Sequence, residues 1–183
     1  MNFKRSFFSF CIFFCCSSAF SSQKYALMPN VYDQQPGLFA VGQMQAVDNA
    51  LCNRFNCPQF RFLQNATLKN AMVSSDHFGH IIRYNSEFMQ KTMQSYGSLA
   101  AIGVLAHELG HIIDLNQNRF KISRTQREAN ADRYAGCAFA LAGHPMSDLM
   151  GLAQSLYAMK PSPGYPTPSQ RVKFIHVGYS QCK

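Results

Sequence analysis

The sequence predicts an α+β fold, a mainly helical body carrying a small sheet. Apolar residues recur at spacings of three and four over several long stretches, the periodicity of helices with one buried face. After the first of these come three short segments bounded by turn-forming residues, which read as strands. The chain has 183 residues, 47% of them apolar and 14% charged, which suits one globular domain and leaves little room for a second.

The N-terminus follows a different logic. Lys4 and Arg5 precede an aromatic-rich apolar run over residues 7–14, and Ser17-Ser18-Ala19 supplies small residues where a signal peptidase cuts. This is the three-part pattern of a secretory signal peptide, and the run is too short to cross a bilayer. Residues 1–19 are therefore expected to be removed, with cleavage as far as Ser21 also compatible, leaving a single domain over 22–183. No later segment reads as a membrane span, so the mature chain is expected to be exported, periplasmic or extracellular, without stable membrane insertion.

Residues 21–37 are polar and punctuated by proline, an irregular lead-in. Phe39, Val41, Met44, Val47 and Leu51 place a helix over 38–51, and residues 52–58 turn. Segments 60–63, 71–73 and 80–85 are strand candidates, the last bounded by Gly79 and Ser86. Ser86 can cap a helix running through Phe88, Met89 and Met93. The next helix spans 98–116, with Ile102, Leu105, Leu109 and Ile112 forming a buried stripe. A helix over 126–142 stops at Gly143 with Pro145 beyond it, and another covers 146–159. Residues 160–168 form a Pro/Gly-rich loop, and 170–177 form a short closing helix before Gly178-Tyr179.

Export changes the cysteine arithmetic. Cys11, Cys15 and Cys16 leave with the signal peptide, so Cys52, Cys57, Cys137 and Cys182 remain. Four cysteines in an exported protein imply two disulfides and allow three pairings, or remain as buried thiols. Closeness in sequence favours Cys52 with Cys57, which leaves Cys137 to tether Cys182. Of the net charge of +8, Lys4 and Arg5 supply two. The remaining cations are scattered, with no basic run interleaved with aromatics, so no nucleic-acid partner is expected. Nothing in the pattern indicates an oligomeric state.

The residues that carry chemistry lie on the 98–116 helix. His107-Glu108-Leu109-Gly110-His111 sets two imidazoles four residues apart, so both reach one point in space. At 100° per residue they face away from the apolar stripe. Glu108 stands beside the first histidine, placed to act as a general base and then as a proton donor. A catalytic zinc takes three protein ligands and leaves a fourth position open. The residues three and six beyond His111 are Asp114 and Gln117, which excludes the extended three-histidine motif. Glu128 and Asp132, one turn apart on the following helix, answer better. Glu128 completes a set with His107 and His111 for one Zn2+ per chain, and Asp132 accepts the second ring N–H of a histidine, most naturally His107. Without the upstream motif, Glu128 and Asp132 would read as an exposed charged face. His77, His80, His144 and His176 stand apart from these motifs and read as surface or structural residues, with His144 and His176 outside candidates for transition-state contact.

The segment His107 to His111, followed by Glu128-Ala129-Asn130-Ala131-Asp132-Arg133-Tyr134-Ala135-Gly136, resembles the gluzincin metallopeptidases. It is most similar to soluble secreted and periplasmic relatives of the CAAX prenyl protease family. The likeness covers roughly residues 80–180, with Ile82-Arg83-Tyr84-Asn85 resembling that family's edge strand and its exit. Residues 166–172 with Gly178-Tyr179 resemble its C-terminal segment. The resemblance implies a zincin-like domain and a secreted zinc metalloendopeptidase acting on a peptide or protein substrate, with Arg171 positioning the site or the substrate. Where the family carries histidine before the proline, this chain has Tyr165, whose phenol either lies near a developing oxyanion or is an ordinary loop residue. Two other readings fit the same residues: a zinc amide hydrolase acting on a non-protein cell-wall substrate, and a non-catalytic secreted binding module stabilised by zinc.

Overall fold

The computed structural model describes residues 30–118, 122–158 and 163–183. The expected signal peptide lies outside the described residues. The fold is α+β, with six helices and a four-stranded mixed sheet among the described residues.

The expected lead-in contains a two-residue strand, β1 (Asp33–Gln34), before helix α1 (Leu38–Phe55). Strand β1 forms because Asp33, its side chain fully buried, takes hydrogen bonds from Arg83 Nε at 2.9 Å and Asn65 Nδ2 at 2.8 Å. Strands β2 (Phe60–Asn65), β3 (Ala71–Asp76) and β4 (Gly79–Tyr84) complete a sheet of order β1-β2-β4-β3. Strands β3 and β4 form an antiparallel hairpin, with Ala71 opposite Tyr84, and β4 runs parallel to β2. One expectation is corrected here. Ile82-Arg83-Tyr84 is not an edge strand: β4 is flanked on both sides, and the edge on the side of α3 is β3. Burial explains this, since Ile81, Ile82 and Tyr84 are almost inaccessible whereas Met72 is exposed.

Helix α2 (Ser86–Tyr96) is capped by Asn85, whose side chain accepts from the Phe88 amide at 2.9 Å, rather than by Ser86. Helix α3 (Ser98–Asn118) is the central element, touching α1, α2, α4 (Arg124–Leu141), α5 (Met150–Tyr157) and the sheet. By length and composition it is apolar enough to cross a membrane, contrary to the expectation that no such segment exists; 61% of its most apolar window is buried inside the domain. Its expected stripe is buried at Leu105, Leu109 and Ile112, while Ile102 is only half-buried.

The expected 146–159 helix divides into a 3-10 turn at Met146–Leu149 and α5. Helix α6 (Pro168–Cys182) is longer than the expected 170–177 at both ends. It begins on a capping box between Thr167 and Gln170 with Pro168 in the first turn. At its other end it continues through Gly178, because that glycine lies against the Arg133 carbonyl of α4, as Gly136 lies against the Ile175 carbonyl. No side chain fits at either contact, so the two backbones touch. Cys137 and Cys182 are joined across the same pair of helices, and Cys52 and Cys57 close the end of α1. Both favoured pairings are therefore present.

Candidate metal centre

Helices α3 and α4 cross at Gly110. A Cβ there would lie 3.0 Å from the Ala131 Cα and 2.8 Å from the Tyr134 Cβ, so only glycine permits this approach. The approach brings the second motif against the first. One ligand atom each from His107, His111 and Glu128 falls within a group no wider than 4.8 Å, and the three could hold a metal ion. The His107 Nε2 lies 3.3 Å from one Glu128 oxygen, and the His111 Nε2 lies 3.7 Å from the other.

The other nitrogen of His107 is engaged. Nδ1 donates to Asp132 Oδ1 at 2.9 Å, which directs Nε2 toward Glu128. Asp132 is in turn held by Arg171 on α6, whose Nε and Nη2 donate to its two oxygens at 2.9 and 2.7 Å. This two-point fork aligns the carboxylate, and the Nη2 also lies 3.3 Å from His107 Nδ1. The α4–α6 glycine contacts and the disulfide are what deliver Arg171 to this place.

Charge is distributed unevenly across the cluster. Burial opposes a charge on His107, but hydrogen bonds to Asp132 and Glu128 outweigh it and push its pKa up to about 9. Burial and the neighbouring His107 charge pull His111 down to about 3. Between those values the histidine pair holds one proton, on His107. Burial works to raise Glu128 and Asp132, yet their contacts with His107 keep both below the ordinary carboxylate range. Glu108 moves the other way: burial, reinforced by the charge of Glu128, raises it. Its carboxylate also takes a backbone hydrogen bond from Val73 of the edge strand β3.

These groups line a cavity of about 790 Å³. One wall is apolar, with Phe88, Val104, Leu152 and Leu156, and β3 borders it through Ala71, Met72 and Val73. Tyr165 also lines it, but its hydroxyl takes a hydrogen bond from Arg124 at the start of α4. His77, His80, His144 and His176 do not line it, and His144 pairs with Asp148 at 3.0 Å instead. Arg124 and the Val73 amide were not singled out in the sequence. Their one signal is position: Arg124 follows the capping Ser123 one turn before Glu128, and Val73 falls in a strand candidate.

No family model, curated protein or solved structure matches the chain.

Proposed function

We propose that the protein is an exported, zinc-dependent metallopeptidase with a zincin-like domain. The observation that carries this reading is the convergence of His107, His111 and Glu128, with Glu108 beside them and all four lining one cavity. Two imidazoles and one carboxylate suit Zn2+, and the donor set matches that of catalytic rather than closed structural sites. The two disulfides are compatible with an oxidising, exported setting.

A zinc ion held there supplies Lewis acidity, lowering the pKa of a water and polarising a carbonyl. The remaining work falls to the chain. Glu108, with a raised affinity for protons, takes one from the attacking water and delivers it to the leaving amine. Asp132 fixes the His107 tautomer, and Arg171 fixes Asp132. An extended substrate pairs with the edge of β3 beside the Val73 amide that Glu108 engages, since edge-strand amides and carbonyls read a peptide main chain regardless of its side chains.

The test is hydrolysis of a peptide pool by the oxidised, zinc-loaded protein. Glu108→Gln is expected to keep zinc and lose about 10²–10⁴-fold in rate, the usual contribution of a general base. Wild-type rates in that variant would sink the mechanism. Cleavage of cell-wall amides alone would move the reading to that substrate, and a protein that binds zinc but hydrolyses nothing would be a binding module.

A further inference from the structure

The role of Tyr165 follows from Arg124. The Arg124 guanidinium sits 4.2 Å from the centre of the Tyr165 ring and donates to its hydroxyl. Thr125 Oγ1 donates to the Gly164 carbonyl at 3.0 Å, so the start of α4 and the loop before α6 are joined at two points. Stacking and a hydrogen bond hold the arginine in one orientation before any ligand arrives. Arg124 is nonetheless exposed and lines the same cavity as the metal ligands.

The charges of that cavity do not cancel around it. The lining carboxylates are Glu108, Glu128 and Asp132. Asp132 is taken up by Arg171, and a divalent ion held by Glu128 with Glu108 beside it uses both remaining negative charges. Among the described residues, no further carboxylate lines the cavity to offset Arg124, and Arg127 lines it as an additional cation. A planar guanidinium with N–H donors to spare, beside a cleft with excess positive charge, matches a carboxylate.

We infer that Arg124, presented by Tyr165, reads a carboxylate on the substrate, so that the preferred substrates are acidic peptides. This rests on the peptidase reading of the same cleft and names its substrate class. The carboxylate is either a Glu or Asp side chain or a peptide C-terminus.

The experiment uses oxidised, zinc-loaded protein and matched peptide pools. One pool carries Glu with an amidated C-terminus, a second carries Gln with an amidated C-terminus, a third carries Gln with a free C-terminus, and a fourth carries Lys with an amidated C-terminus. Binding is read by fluorescence anisotropy on Glu108→Gln, and kcat/KM on the wild type. The Glu pool or the free-carboxylate pool is expected to exceed the amidated Gln pool by about tenfold, the scale of one charge-assisted contact. Whichever of the two it is identifies the source of the carboxylate. Arg124→Glu should reverse the order in favour of Lys, and Tyr165→Phe should reduce the acidic preference a few-fold without changing zinc content. Arg124 is exposed, so its replacement leaves the core untouched.

An acid-to-amide ratio unchanged in Arg124→Glu, or absent from the wild type, overturns the inference. Cleavage without charge preference refutes the carboxylate reading and leaves hydrolysis standing. Acidic preference in binding with no cleavage by the wild type refutes hydrolysis and leaves the carboxylate reading standing.

Discussion

The two sides of α4 do opposite jobs with similar residue types. Toward the cavity, Glu128 and Asp132 keep ionised oxygens close to His107 and His111, and His107 carries a proton where a metal ion could sit. On the other side, Asn130 Nδ2 donates at 2.6 Å to Asp114 Oδ1, one turn beyond His111 on α3. Asn118 Nδ2 donates to the same oxygen at 2.7 Å, and Tyr134 donates to Gln117 at 2.8 Å. Cys137, also on that side, carries the bond to α6. Charge on the cavity side is exchangeable, whereas amides, a phenol and a disulfide on the far side are fixed partners. A ligand set assembled from two helices needs both, because a rotation of α4 that satisfied its backbone equally well would carry Glu128 away from the imidazoles.

The largest way to break this contrast is to cut the far-side covalent tie. Replacing Cys137 and Cys182 with serine opens a loop with a sequence separation of 45, and chain-entropy arguments put the loss at about 4 kcal/mol. Chemical denaturation should show that loss in protein with or without zinc. On the cavity side, Glu128→Gln should weaken Zn2+ binding by about 100-fold or more while leaving the metal-free protein folded, as competition with a chromophoric chelator would report.

Asn130→Ala tests whether the far side serves the near one. It should cost about 1–3 kcal/mol in stability and weaken Zn2+ about tenfold. Asn118→Ala removes a bond to the same Asp114 oxygen within α3, and should lower stability while leaving Zn2+ affinity within about twofold. Equal metal affinities in the two variants would dissolve the contrast.

The mildest perturbation is a change of pH, which alters no residue. In the folded, metal-free protein His107 titrates at about 9, against an ordinary value of 6.5. Its contribution to stability is therefore complete below about pH 6.5 and is lost as pH rises through 9. Zinc must displace that proton, so its affinity should rise over the same window. Denaturation and chelator competition at several pH values should show metal-free stability falling while zinc affinity rises. Parallel slopes would mean that His107 does not hold the proton.

Much of the site was legible in the sequence because its motifs are local. His107 and His111 converge by helix periodicity alone, and Glu128 with Asp132 repeats the same spacing one helix later. Element boundaries were less legible. The 146–159 segment reads as one helix but begins as a 3-10 turn, and α6 outruns its apolar pattern because Gly178 lets it continue against α4. Which strand forms the edge is not legible, because β3 and β4 are both short and pairing order leaves no trace in either segment's composition.

Sequence alone determined the α+β class, the two imidazoles on one helix face and the pairing of Cys52 with Cys57 and Cys137 with Cys182. The first two depend on repeat distances of a few residues and the third on closeness along the chain, and none requires a partner element to be known. Only the tertiary structure decided that Arg171 grips Asp132, that Tyr165 holds Arg124 rather than standing alone, and that Asn130 reaches Asp114. Each joins residues far apart in the chain. Their proximity comes from backbones brought together at Gly110, Gly136 and Gly178, where the missing side chain sets the distance between helices.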